Sequence, residues 1–175
     1  MRIKYLGAMV AIGLLSLSGL ASSQVLSNTK PVDEFKEIDV GPAPDYSLQG
    51  LLPLEMIAPS TSSLKYGLDP SALTIGSDGV VRYVVVAFSP GGSVNAFYEG
   101  LRCATGEVKT YARSTRLGQW SPVTKAQWVT IDGSLPTRFA MHLSKRGVCD
   151  ITRVAVKTVP QLIELLRNPV MYNKF

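Results

Sequence analysis

The sequence predicts an α+β fold: a single domain built on an antiparallel β-sheet, closed by a C-terminal helix and stapled by one disulfide. Three observations predict it. Residues 80–88 read VVRYVVVAF, a β-branched and aromatic run with one charge, and residues 94–103 (VNAFYEGLRC) return after a Ser-Pro-Gly-Gly-Ser turn. Residues 159–167 carry Leu162, Ile163, Leu165 and Leu166 behind Thr158, which is a helix N-cap type, with Pro160 in the first turn and Asn168-Pro169 as the stop. Cys103 and Cys149 are the only two cysteines.

The register of the hairpin formed by residues 80–103 carries chemistry. The 80–88 run suits a strand buried on both faces. The turn composition Gly76-Ser77-Asp78-Gly79 leads into it, and Leu73, Thr74 and Ile75 precede that turn. If residues 89–93 form a five-residue loop, Phe88 pairs with Val94, Val84 with Tyr98 and Arg82 with Gly100. Arg82, Tyr98 and Arg102 then share a face, and Glu99 lies on the other beside Tyr83. Gly100 leaves an open floor between two guanidinium groups, a shape suited to a carboxylate or phosphate. A register slipped by one residue brings Arg82 to the face of Glu99, and the two become a structural ion pair. Both registers are open at this level. Further strands are expected at residues 108–113, 127–131 and 138–143.

The two cysteines are spaced neither as a redox CxxC nor as a four-ligand zinc set, so a structural disulfide is expected. Closing a loop of about 46 residues restricts the unfolded chain by about 4 kcal/mol in the chain-entropy picture.

Residues 1–23 read as a secretory signal. Arg2 and Lys4 are followed by an apolar stretch over residues 6–17, and then by Ser18, Gly19, Ala21, Ser22 and Ser23. The apolar stretch is shorter than the ~20 residues a span requires. No cysteine precedes Cys103, so a lipid-anchored form is not expected. The mature chain should begin at Ser22 or Gln24, be periplasmic, and hold no membrane span. Removing Arg2 and Lys4 with no acid lowers the formal charge from +5 to +3. The basic residues are scattered, which argues against nucleic acid as a partner. The expected organisation is a signal at 1–23, an extended Pro-, Ser- and Gly-rich arm at 24–63 with apolar islands at Phe35 and 51–57, an α+β core at 64–168 and a tail at 169–175.

The segments YGLDPSAL (66–73), GSDGVVRY (76–83), NAFYEGLRC (95–103) and Tyr111-Ala112 stand in order, followed by Trp120, Trp128, Cys149 and the terminal helix. Together they resemble the cryptic neisserial protein-like family of bacterial envelope proteins over about residues 35–167. The resemblance implies a periplasmic location and no particular activity. Family members are often lipoproteins, and this chain departs from them in lacking the lipobox cysteine.

No catalytic constellation stands out. His142 is the sole histidine, within FAMHLSK, and reads as a strand histidine hydrogen-bonded through one ring nitrogen. No GxSxG elbow is present. The acids Asp78, Glu99, Glu107 and Asp132 lack calcium-loop spacing, so neither a metal nor a cofactor is expected. Trp120 and Trp128 flank residues 121–127 and are either packed against the sheet or part of an aromatic platform. The candidate binding residues are therefore Arg82, Tyr98, Arg102, Trp120 and Trp128. The favoured function is non-catalytic binding of an envelope protein, a peptide, or an anionic glycan or lipid head group. The alternatives are an envelope hydrolase using convergent carboxylates and a structural or stress-protective role. Converging carboxylates held above their ordinary pKa would favour the enzyme.

Overall fold

The long apolar run forms the centre of the sheet. In a computed structural model, which describes residues 34–55, 63–116, 118–132 and 138–168, strand β4 (Val80–Phe88) pairs along its whole length with β5 (Val94–Arg102). Eight of its nine residues are buried, because both faces of this strand are covered. The proposed signal at 1–23 and the tail at 169–175 lie outside the described residues.

Around this hairpin the described residues build an eight-stranded antiparallel sheet. Beyond β4 lie β2 (Lys65–Leu68) and the edge strand β1 (Leu52–Leu54), with β3 (Thr74–Ile75) pairing the other end of β4. Beyond β5 lies β6 (Glu107–Arg116), whose far edge is shared by β7 (Gln119–Pro122) and β8 (Val129–Thr130). The apolar island that opens at Leu51 thus enters the sheet as β1. The strand expected at 127–131 is present as the short β8.

The five-residue loop fixes the hairpin register. Ser89 N–H donates to Ser93 O at 3.0 Å, and Gly92 takes φ +84°, a conformation that favours glycine. Phe88 then faces Val94, Val84 faces Tyr98 and Arg82 faces Gly100. Val81, Tyr83, Val85 and Leu101 turn to one face, Arg82, Val84, Val86, Tyr98 and Arg102 to the other.

The first face is covered by helices. Helix α2 (Val159–Arg167) buries Leu162 and Leu166; Thr158 caps it, with its hydroxyl accepting from Gln161 N–H at 3.4 Å, and Pro160 lies in the first turn. The segment expected as a strand at 138–143 is instead helix α1 (Phe139–Leu143). Phe139, Ala140 and Leu143 are its buried residues, spaced i, i+1 and i+4, which is a helical stripe. The helix sets Phe139 against Tyr66 and Phe97 at 5.7 and 5.2 Å between ring centroids. His142 is accordingly a helix residue, and its Nε2 is buried with no hydrogen-bond partner among the described residues.

After α1 comes a wide turn at Ser144–Val148 with Gly147 at φ +91°, then a small ribbon of β9 (Cys149–Asp150) and β10 (Arg153–Val154). Arg146 reaches from the turn to Pro53 O and Leu166 O, tying the edge strand to the end of α2. The Cys103–Cys149 disulfide, with Cα atoms 5.4 Å apart, fastens the end of β5 to β9.

The opposite face is covered by the arm. Residues 34–51 contain neither helix nor strand, yet Val40, Ala43, Tyr46 and Leu51 pack on a second apolar cluster of Val84, Val86, Ala96, Tyr98 and Ala112. Side chains of the sheet and its turns hold the arm's backbone: Asp78 accepts from Ile38 N–H, Asp69 from Ser47 N–H, and Trp120 Nε1–H donates to Pro44 O at 2.9 Å.

Candidate functional site

Gly100 is the floor of the site. A Cβ there would stand 2.5 Å from the Tyr111 hydroxyl and 3.0 Å from Val80 Cγ1, so only glycine leaves room for the phenol. Tyr111 reaches this position through a β-bulge. Tyr98 pairs with Ala112 and Glu99 with Thr110, which leaves Tyr111 as the extra residue of β6.

Over this floor four charges converge. Arg82, whose side chain is 3% exposed, forks onto Asp78, with Nη2–Oδ2 at 2.7 Å and Nη1–Oδ1 at 3.1 Å. Asp78 sits in the Gly76–Gly79 turn, so the turn that starts β4 also neutralises its one cation. The arm adds Glu37. Its carboxylate accepts from Lys109 Nζ at 2.7 Å and from Tyr111 Oη at 2.6 Å, and lies 3.6 Å from Arg82 Nη2. The floor at Gly100 thus carries the Tyr111 hydroxyl, and the carboxylate to which that hydroxyl donates, beside Arg82 and Lys109, belongs to the chain itself. Beside it opens a groove of about 780 Å³ lined by arm residues 36–41 together with Lys109, Tyr111, Val123 and Ala126.

Arg102 stands at the other side of Gly100. It pairs with Glu107 at 3.1 Å, and its guanidinium lies 3.7 Å from the centroid of the Phe35 ring. From Phe35 the rings continue in a ladder: Trp128 at 5.9 Å, Tyr111 at 6.5 Å, Tyr98 at 5.2 Å, Trp120 at 6.4 Å and Tyr46 at 5.2 Å, each from the one before. Both end rings come from the arm, and the four between come from the rest of the sheet face.

The electrostatics follow from this packing. Burial pushes the Glu37 carboxyl up, but the Lys109 and Tyr111 hydrogen bonds and the Lys109 and Arg82 charges outweigh it and hold it below its ordinary value. Asp78 behaves likewise: burial raises it, while Arg82 and the Ile38 and Val80 N–H groups hold it below its ordinary value. Burial and the Glu37 hydrogen bond push Tyr111 far up, so it remains a donor. On the helix face, Glu99 accepts from Tyr83 Oη at 3.0 Å and from Thr110 Oγ1 at 3.2 Å.

The weighed ion pair between Arg82 and Glu99 is therefore corrected. The register places Arg82 opposite Gly100, which sends the two side chains to opposite faces, and Arg82 takes Asp78 and Glu37 instead. The other sequence candidates, Tyr98, Arg102, Trp120 and Trp128, come to the same face as Arg82. Sequence reasoning missed Glu37, Lys109 and the placement of Tyr111; Glu37 is 72 and 74 residues from its two donors. The expected effect of Gly100→Ala is a loss of about 1–3 kcal/mol from overpacking. It should also displace the Tyr111 hydroxyl from Glu37 and change the tryptophan fluorescence of the folded state, read beside a thermal melt.

The model of the CNP1-like family matches residues 30–167, which takes in every part of this site. The chain belongs to the CNP1-like family. Comparison with curated proteins and with solved structures gives no match. In this CNP1-like chain, no group of three or more His, Cys, Asp or Glu could hold a metal ion among the described residues. Among them, too, no helix is long and apolar enough to cross a membrane.

Proposed function

We propose that this CNP1-like chain is an exported periplasmic binding module, non-catalytic, which recognises a carboxylate-bearing envelope component through the sheet face of Arg82, Tyr98, Arg102, Trp120 and Trp128. The observation that carries the reading is the array on that face: an aromatic ladder flanked by Arg82, Lys109 and Arg102, with the Glu37 carboxylate seated between Arg82 and Lys109. Aromatic rings supply area at low entropic cost and cations supply the charge complement, a composition that favours binding. The signal-like N-terminus and the disulfide support export.

The hydrolase reading is less well supported. Glu37 and Asp78 do converge on Arg82, but both are held below their ordinary pKa, and a general acid needs one carboxyl held above it.

The test pairs fractionation with binding. Osmotic shock should release a mature chain beginning at Ser22 or Gln24, which an uncleaved chain in the membrane fraction would contradict. Immobilised mature protein should retain acidic peptides or uronic-acid glycans. Arg102→Ala and Trp128→Ala should each weaken retention by about tenfold, as truncating an Arg or aromatic anchor does, with the melting temperature nearly unchanged. Turnover of these compounds, or retention indifferent to both substitutions, would refute the reading.

A further inference from the structure

The arm sits on the binding face as a ligand would. Its backbone forms no strand with the sheet over residues 34–51. What holds residues 35–38 is a set of side-chain recognitions: the Phe35 ring against Arg102 and Trp128, the Glu37 carboxylate on Lys109 and Tyr111, and the Ile38 N–H on Asp78. Aromatic residue, spacer, acid and backbone donor are read in succession, which is how an extended peptide is recognised.

Charge points the same way. Arg82 and Lys109 are balanced by Asp78 and Glu37, so the seat is neutral with the arm in place. Lifting Glu37 away leaves one uncompensated positive charge on a surface of Tyr111, Tyr98, Trp120 and Trp128. Arg82 Nε is in addition buried there with no hydrogen-bond partner among the described residues. The charge left over is that of Lys109, since Asp78 still neutralises Arg82; half-buried beside Tyr111 and Trp128, it favours an incoming anion. The groove beside Glu37 brings solvent, and any incoming chain, to the edge of the seat.

We propose that residues 35–38 are a tethered occupant of a peptide-binding site, and that the site takes an extended segment of another exported protein bearing an aromatic residue two positions before an acid, which displaces the arm. The proposal rests on the binding reading above and adds the ligand class and the regulation. A tethered segment competes at an effective concentration on the order of millimolar. The arm therefore screens out weak acidic ligands and yields to a partner that adds contacts along the aromatic ladder. The apparent affinity of the closed protein is reduced by the fraction of time the arm is open.

The experiment uses the full mature chain and a synthetic peptide of its own residues 34–41 as probe. Both tryptophans of the protein, Trp120 and Trp128, lie on this face, so their fluorescence reports occupancy. Glu37→Ala should bind the peptide at least about tenfold more tightly than wild type, the factor by which a mostly closed tether lowers apparent affinity. The same peptide with glutamine in place of the Glu37 residue should bind Glu37→Ala distinctly more weakly. Should Glu37→Ala lose its cooperative melt, Glu37→Gln keeps the arm's length and polarity and is expected to show the same preference for the acidic peptide over wild type's. Equal affinity of variant and wild type, or no binding by either variant, would overturn the proposal. So would concentration-dependent dimers of Glu37→Ala in sedimentation, which would make the occupant a second copy's arm. Failure here with carboxylate glycans still retained through Arg102 and Trp128 would remove the peptide and the tether and leave the binding face standing.

Discussion

Arg82→Ala is expected to destabilise the protein by about 3–5 kcal/mol, the range seen when one partner of a buried ion pair is removed. The substitution strands the Asp78 carboxylate, 1% exposed, and weakens the hold on Glu37. Denaturant melts of a double-mutant cycle check the cause. Arg82→Ala combined with Asp78→Ala should cost clearly less than the sum of the two single changes, because the second removes the stranded charge. Arg82→Ala combined with Glu99→Ala should be additive, since these residues lie on opposite faces; strong coupling between them would restore the slipped register. The pH dependence has a definite sign. Glu37 and Asp78 have folded pKa values below their ordinary 4.5 and 3.8, so their stabilisation is complete above those values. It is lost as pH falls below them and through the lower folded values. In Arg82→Ala this acid-side loss of stability should be shallower than in wild type.

The hairpin was legible because it is local, but its register was not: the composition left both pairings open, and the structure sets Arg82 opposite Gly100. Five turn residues between two strands of nine mark the hairpin, whereas the pairing is decided by the loop bond from Ser89 N–H to Ser93 O, which composition does not show. The terminal helix was legible for the same reason, with Thr158, Pro160 and Asn168 marking its ends. The 138–143 segment misled because five helical residues are too few to show a 3.6-residue period against an alternating one. Phe139, Met141 and Leu143 read as one face of a strand until tertiary packing buries Ala140 in place of Met141.

The site was half legible. Gly100 between Arg82 and Arg102 pointed to an anion, and the aromatic residues pointed to a platform. What fills the floor was not readable, because it depends on two non-local events. A bulge adds Tyr111 to the face, and bulges leave little trace in a strand's composition. The arm then crosses the sheet through isolated side-chain contacts, with no periodicity to betray them. Phe35 was noted as an apolar island, but nothing near it in sequence announces Arg102 or Trp128.

Loss of the Cys103–Cys149 bond is expected to lower stability by about 4 kcal/mol, from the entropy of a loop of 46 residues. The bond joins the end of β5, at the centre of the sheet, to β9, which follows the wide turn after α1. It therefore fastens the helical layer to the sheet at a point where the chain between them is long. Cys103 is buried in the helix-face cluster with Leu143, Val148 and Leu162, so its loss also loosens packing there. The arm face lies across the sheet and shares none of those residues. Denaturant midpoints of the oxidised protein and of the Cys103→Ser/Cys149→Ser variant measure the effect, and an unchanged midpoint would count against it. Thiol labelling of unreduced, denatured protein should find no free cysteine, whereas two labelled thiols would show that the bond is absent. Hydrogen exchange separates the two layers. Under native conditions the double variant should lose more protection in α1 and α2 than in β4 and β5, whose protection falls only by the loss in global stability. Equal loss in both layers would mean that the bond acts on the unfolded chain alone.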